Sequence, residues 1–443
     1  MQAREQVSID VLHTDEELVR GLKEKMENIS SSITICRVPE ELHRGKTRDY
    51  YPDLVAIGPY HRGKLNLRDM EKHKWRYLFA LLNRKPDLEA NINECMKALR
   101  ELEHRARRCY AGDIGLSSDE FVELMLVDGG FIIELLIKCA HKSLRRRGDP
   151  LFSTPGKLFD LRLDMILLEN QIPLFVLQRL FQVSPIPKQC NTPLSELAFR
   201  FFKSMVPGGE QQDLQVKLNE EAHHLLDLVH NCLLPATFPR EPTKQRPTQT
   251  PIKCATDLRA SGIKIARASS RNLLDAKFTK GVLQIPPLNI DQCTGRLFRN
   301  LVALERCGCV DTPCITSYVF LIHGLIGSER DEKLLVDRQV ITDSLNPGEV
   351  RKAHVLFNDI CKDTNVQEWY YEGLSEQVNE YIERRRRPGH SSRGGQEDTG
   401  GGGRKEDGRR WIGHREMVVV GVLLLIMTSI GTLLSALSFF LHH

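Results

Sequence analysis

No catalytic signature occurs in the 443 residues: G-x-S-x-G, Walker A, G-x-G-x-x-G, H-E-x-x-H and the protein-kinase set are all missing. The glycine run at 400–403 is no phosphate loop, because no strand precedes it and Lys405 is out of register. The chain is therefore expected not to be an enzyme of any class a motif reveals. No catalytic residue, cofactor-binding residue or metal ligand is assigned, and no cofactor is expected. Twelve cysteines in this length are far from the density of a disulfide scaffold. Cys307-x-Cys309, with Cys314 beyond, has no second pair at zinc spacing, so buried thiols at a helix–turn–helix corner are expected instead. Residues 1–20 carry charges throughout and no apolar stretch, so no secretory leader is expected and the folded part is read as cytosolic, with reduced thiols.

Charge of one sign is also scarce. The net charge is +4, and it is unevenly placed. Residues 384–416 hold ten Lys/Arg against five Asp/Glu, leaving the rest of the chain with 52 basic and 53 acidic side chains. A near-neutral body excludes bulk nucleic-acid binding, which needs a basic face to displace counterions.

One long hydrophobic run is present. Residues 417–441 (MVVVGVLLLIMTSIGTLLSALSFFL) contain no charge, Asn, Gln, His or Pro. As a helix this run spans about 37 Å, enough to cross a hydrocarbon core of roughly 30 Å. It predicts a single-pass C-terminal transmembrane anchor, followed only by His442 and His443. Arg409, Arg410 and Arg415 flank it, which the positive-inside rule places in the cytosol together with the body. One span without an ionisable residue forms no pore; Gly431-x-x-x-Ser435 offers at most a weak face for homo-association. Before it, residues 388–416 form a basic, Gly-rich linker that cannot bury a core. As a flexible coil its residues 388–410 reach about 25 Å, and the arginines at 384–387 add attraction to anionic headgroups.

From Thr14 onward helical periodicity dominates. Thr14-Asp15-Glu16-Glu17 opens an amphipathic stretch through Leu18, Leu22, Met26 and Ile29, within an N-terminal lead-in over 1–34. Residues 68–82 repeat apolar positions at Met70, Trp75, Leu78 and Leu81, and a helix with Trp75 inward and Lys72, Lys74 and Arg76 outward is expected. Ser117 and Ser118 with Asp119 and Glu120 start another helix. The apolar stretch 158–181 should kink or break at Pro173. Residues 236–251 carry four prolines and read as a hinge loop. Residues 262–266 and 276–285 alternate, with Gly281 between two short runs, which predicts a small hairpin. Helices resume at 291–306, 315–326, 347–361 and 367–384. The expected fold is mainly α: a large helical domain over 35–387 with a small β-hairpin element, plus the C-terminal transmembrane helix.

Several blocks resemble a known family. Cys36-Arg37-Val38-Pro39, Ile57-Gly58-Pro59-Tyr60-His61 and Met70-Glu71-Lys72-His73-Lys74-Trp75-Arg76-Tyr77 look like its N-terminal signature. Residues 125–136 (MLVDGGFIIELL) and 167–173 (LLENQIP) look like its central motifs. Ala255-Thr256-Asp257-Leu258, Gly262-Ile263-Lys264, residues 298–307 (FRNLVALERC) and Ile315-Thr316-Ser317-Tyr318 look like its C-terminal ones. The family is the plant-specific "domain of unknown function 247" group, and the blocks run in its order from about Ile35 to the end. Gly130 departs from the pattern, standing where the family commonly has Cys. The resemblance implies a plant protein, mostly helical, ending in a single span, with no catalytic residue or cofactor to carry over. It also implies, for some grass members, a link to self-incompatibility recognition.

Polar groups inside apolar runs are the remaining candidates. Glu169-Asn170-Gln171 are expected to be buried and to bond carbonyls freed by the break before Pro173. A ligand site would use the same groups. Glu-x-x-His recurs at Glu40/His43, Glu101/His104, Glu220/His223 and Glu221/His224, a spacing that serves di-iron bundles. Here the pairs sit in polar stretches and read as solvated helix charge. Asn28-Ile29-Ser30 is a sequon, inert on the cytosolic side. The reading that follows is a membrane-anchored interaction, recognition or signalling component with an unidentified protein partner. The alternative is a membrane-tethered hydrolase or transferase, for which Asp128, Glu169 or His61 would have to converge.

Overall fold

The computed structural model describes residues 33–43, 47–207, 222–235, 252–270, 272–308, 310, 313–343, 353–362, 364–366 and 368–386. The N-terminal lead-in before residue 33, the 236–251 loop, the 388–416 linker and the 417–441 run lie outside these residues. Among the described residues no helix is long and apolar enough to cross a membrane.

Two short helices, α1 (Glu40–His43) and α2 (Thr47–Tyr50), precede three longer ones: α3 (Arg68–Leu82), α4 (Leu88–Arg108) and α5 (Ser118–Ala140). α5 is the centre of the first half. Its start is fixed by a capping box, with Ser117 Oγ accepting from Glu120 N at 3.3 Å and Glu120 Oε2 accepting from Ser117 N at 2.9 Å. From Leu124 to Lys138 every residue is buried: the helix is predominantly apolar on all sides, and its Asp128, Glu134 and Lys138 are each in an ion pair. α3 and α4 pack on it, joined after α6 (Pro150–Ser153) and α7 (Lys157–Met165) by α8 (Leu174–Val183) and α9 (Leu194–Phe202). Gly130 lies where α5 meets α3: a Cβ there would come within 2.4 Å of Leu78 Cδ1.

α3 corrects one expectation. Its buried positions are Met70, Lys74, Tyr77, Leu78, Leu81 and Leu82, a single helical face. Trp75 is one residue out of that phase and stands 49% exposed, with Phe79 beside it at 48%. The inward residue is Lys74, because Asp128 on α5 meets its charge. The break at Pro173 is wider than a kink. α7 already stops at Met165, and Pro173 is the residue that precedes the first turn of α8.

The second half runs α10 (Leu225–Leu233), α11 (Ala255–Ala260), β1 (Lys264–Arg267), β2 (Lys277–Thr279), β3 (Val282–Ile285), β4 (Leu288–Ile290), α12 (Thr294–Arg306), α13 (Cys314–Leu325), α14 (Glu329–Asp337), β5 (Ile341–Asp343), α15 (Ala353–Cys361) and α16 (Glu372–Arg386). The expected hairpin is β2–β3, with Phe278 opposite Leu283. Its two-residue turn, Lys280 and Gly281, has φ of 50° and 79°, the left-handed pair a primed turn requires. Two additions were not anticipated: β1 pairs in parallel with β3, and β4 pairs in parallel with β5. One apolar cluster runs from Ile35 to Ile382. No disulfide joins any two of the described cysteines; Cys309 lies outside the described residues.

Candidate functional site

The non-helical loop between α7 and α8 brings the motif blocks together. Asn170 Oδ1 accepts from Ile57 N at 2.7 Å, while its Nδ2 donates to Val55 O and Asp164 O, each at 3.0 Å. Gln171 Nε2 donates to Met165 O and Leu167 O, both at 2.8 Å. These are the carbonyls freed by the end of α7, and an amide side chain satisfies them where no water reaches. Asp164 accepts from the N–H groups of Asp53, Leu54 and Val55 at 2.6–3.0 Å. Gly58 has φ of +73°, and a Cβ on it would sit 2.4 Å from Gln171 O. Glycine is required there, because the Ile57–His61 turn lies directly against the loop.

Glu169 differs from its neighbours. Its Oε1 accepts from Val38 N at 2.8 Å. Around the rest of the carboxylate stand Arg37 Nη1 at 3.6 Å, His61 Nε2 at 3.7 Å and His43 Nε2 at 3.9 Å. Lys64 Nζ lies 2.8 Å from His61 Nδ1. An ammonium only donates, so Nδ1 accepts and the imidazole proton is assigned to Nε2, facing Glu169. Among the described residues neither His61 Nε2 nor His43 Nδ1 has a hydrogen-bond partner, although both are buried. Burial, reinforced by Lys64 and Arg37, pushes His61 down to about 3, so its ring is neutral. Burial also holds Lys64 below its ordinary range, against the pull of Glu169.

Two cations close the rim. Arg37 lies over the Tyr60 ring at 3.7 Å and Lys64 over Tyr51 at 4.1 Å. Arg37 is 57% exposed whereas Glu169 is 5%. A buried carboxylate, two imidazoles and a partly open cationic rim are groups able to exchange a proton with a bound group or to hold an anionic one.

Of the three residues singled out for convergence, His61 and Glu169 therefore meet. Asp128 is set apart, with one oxygen on Gly58 N (2.8 Å) and the other on Lys74 Nζ (2.7 Å). Glu40 is exposed, as are Glu101 and His104 on α4; Glu220 and Glu221 lie outside the described residues. Among the described residues no three His, Cys, Asp or Glu are grouped to hold a metal ion. At Glu169 the reason is chemical: Lys64 occupies one nitrogen of His61, and a guanidinium shares the carboxylate.

His224 departs from the surface-charge expectation. It is fully buried at the start of α10, its Nδ1 accepting from Asp227 N at 3.1 Å and its Nε2 donating to Thr34 O at 3.0 Å. A polar residue just before an apolar helix is a capping signal, and that signal was available in the sequence. Also missed was Glu305, buried on α12, which accepts from Ile315 N (2.8 Å), Thr316 N (2.7 Å) and Thr316 Oγ1 (2.5 Å) and faces His230 Nε2 at 2.8 Å. It fixes the start of α13, and its place amid a long apolar run was its only signal.

Comparison with known proteins agrees with the motif blocks. The family DUF247, described as a plant protein of unknown function, matches residues 35–393. UPF0481 protein At3g47200 of Arabidopsis thaliana is 30% identical over 378 residues, covering 80% of this chain and 78% of that protein. Putative UPF0481 protein At3g02645, also of Arabidopsis thaliana, is 23% identical over 448 residues, with 80% and 83% covered. No solved structure matches. The chain belongs to the plant DUF247 family.

Proposed function

We propose that the protein is a membrane-anchored recognition or signalling component whose helical body binds another protein. The observation that carries this reading is the aromatic pair on α3. Trp75 and Phe79, one helical turn apart, are about half exposed, and the exposed cations Lys72 and Arg76 flank them. Large aromatic and cationic side chains that project from a rigid helix are the residues that dominate protein interfaces. α3 is held in place by the buried Lys74–Asp128 pair beneath this face. The uncharged 417–441 run supports the anchor. Proximity labelling in plant cells with the full chain tests the reading. Trp75→Ala/Phe79→Ala should lose a defined set of labelled proteins while remaining in the membrane fraction. An unchanged labelled set would contradict it.

A second reading, a membrane-tethered hydrolase or transferase, is favoured by the approach of His61 Nε2 to Glu169 within 3.7 Å. It requires turnover of an ester or phosphate substrate by the purified protein that His61→Gln abolishes without unfolding the chain.

A further inference from the structure

The C-terminal end of α16 is pinned onto two turns of the small sheet. Arg385 Nη1 donates to Gly262 O at 3.0 Å. The Tyr381 ring meets Phe278 edge-on at 5.4 Å between centroids and lies so close to the hairpin turn that a Cβ on Gly281 would come within 2.4 Å of its hydroxyl. Backbone bonds hold the neighbouring segments in the same place, from Gly262 N to Arg259 O (3.0 Å) and from Lys264 N to Gly281 O (2.9 Å).

This arrangement collects exposed cations on one edge: Arg259, Lys264, Lys280, Arg384, Arg385 and Arg386. The exposed acids on the same elements are Asp257, Glu376, Glu380 and Glu383, and Glu380 is paired with Arg384 at 3.0 Å. The edge therefore has an excess of positive charge on a body that is otherwise near neutral. α16 ends on it at Arg386, and the chain continues from there into the 388–416 linker.

We propose that this edge, where α16 crosses the Gly262 turn and the β2–β3 turn, is the face the body lays against an anionic bilayer surface. The proposal deepens the anchor reading above and rests on it. In a chain anchored by the 417–441 run the edge meets the bilayer as part of the same molecule, so even a weak attraction acts at high effective concentration. The cations sit on exposed turns and a helix end, which suits a diffuse layer of headgroups. Anionic lipid is concentrated in the cytoplasmic leaflet, where each nearby Lys or Arg raises binding about fivefold.

The test uses the full chain with a specific protease site placed in the 388–416 linker, reconstituted into phosphatidylcholine vesicles with or without about a third of phosphatidylserine. Flotation of the uncut chain with the neutral vesicles reads the anchor alone. After cleavage, the body should stay on anionic vesicles at low salt, leave them at high salt, and leave neutral vesicles at once. Arg259→Glu/Lys264→Glu/Lys280→Glu/Arg386→Glu should lower retention on anionic vesicles more than about a hundredfold. The same number of reversals at exposed cations elsewhere, Arg62→Glu/Lys85→Glu/Lys97→Glu/Arg147→Glu, should not. Circular dichroism reports that both variants remain folded. Equal release of the cut wild-type body from both vesicles, or equal loss in the two variants, overturns the proposal. Failure of the uncut chain to float with the phosphatidylcholine vesicles overturns the anchor instead, and its flotation with the anionic vesicles still reads the edge.

Discussion

Lys74 and Asp128 form a buried ion pair, with Nζ 2.7 Å from Oδ1 and side-chain exposures of 2% and 1%. The second Asp128 oxygen holds Gly58 N, so the pair links α3, α5 and the Ile57–His61 turn. Burial works against the Lys74 charge, yet the carboxylates of Asp128 and Glu71 carry it above its ordinary range. Removing one partner strands the other charge. Lys74→Met should therefore cost about 3–5 kcal/mol in urea unfolding, and Lys74→Met/Asp128→Leu clearly less than the two single changes combined. A single change below about 1 kcal/mol would mean that the pair does not hold the turn.

Gly58→Ala should destabilise by more than about 2 kcal/mol, because the left-handed backbone and the 2.4 Å approach to Gln171 O add together. Gly63→Ala is the control. Its φ is +80° but nothing lies within 4 Å, so only the backbone cost of roughly 1 kcal/mol applies. Equal losses would place the Gly58 cost in the backbone and not in contact with the loop.

Acid should unfold this protein through two histidines. Burial is the largest cause in both, pushing His61 down to about 3 and His224 to about 4, against 6.5 for the ordinary imidazole. Between those values the unfolded chain binds protons the folded one refuses, so stability is complete above about pH 6.5 and is lost as the pH falls towards 4 and 3. From pH 7 to 5 the loss is on the order of 2 kcal/mol for each histidine. His224→Asn should flatten the dependence of urea stability on pH across that interval, and an unchanged slope would rule His224 out.

Much of the frame could be read in the sequence. Side-chain chemistry placed Glu169, Asn170 and Gln171 inside and Gly281 marked the hairpin; Asn170 and Gln171 bond carbonyls at the end of α7 as expected, whereas the Glu169 carboxylate can only accept and takes Val38 N instead. The Trp75 error shows the limit of periodicity: a lysine scores as polar whatever lies opposite, and only the fold shows that Asp128 meets Lys74. The Glu169 cluster was legible only in part: Glu169 and His61 stood out as candidates to converge, but nothing in the sequence brought them or His43 together. His43, His61 and Glu169 come from separate blocks, and no spacing rule connects a loop after α7 to a turn before α3. β4 and β5 likewise pair strands too short to stand out alone.

Lys64→Met should raise the His61 pKa from about 3 towards its ordinary value, since Lys64 is the largest charge contribution after burial. A pH titration of the ring by heteronuclear NMR reads this directly. No movement would show that burial alone sets it.

Protease treatment of sealed, alkali-washed microsomes carrying the full-length protein tests the central claim most directly. Arg409, Arg410 and Arg415 oppose transfer of their flank across the bilayer at a few kcal/mol per charge. The body should be digested from outside, leaving a short protected fragment containing residues 417–441, with Asn28 unglycosylated. A protected full-length body bearing an endoglycosidase-sensitive glycan on Asn28 would contradict the account and put recognition on the opposite side of the membrane.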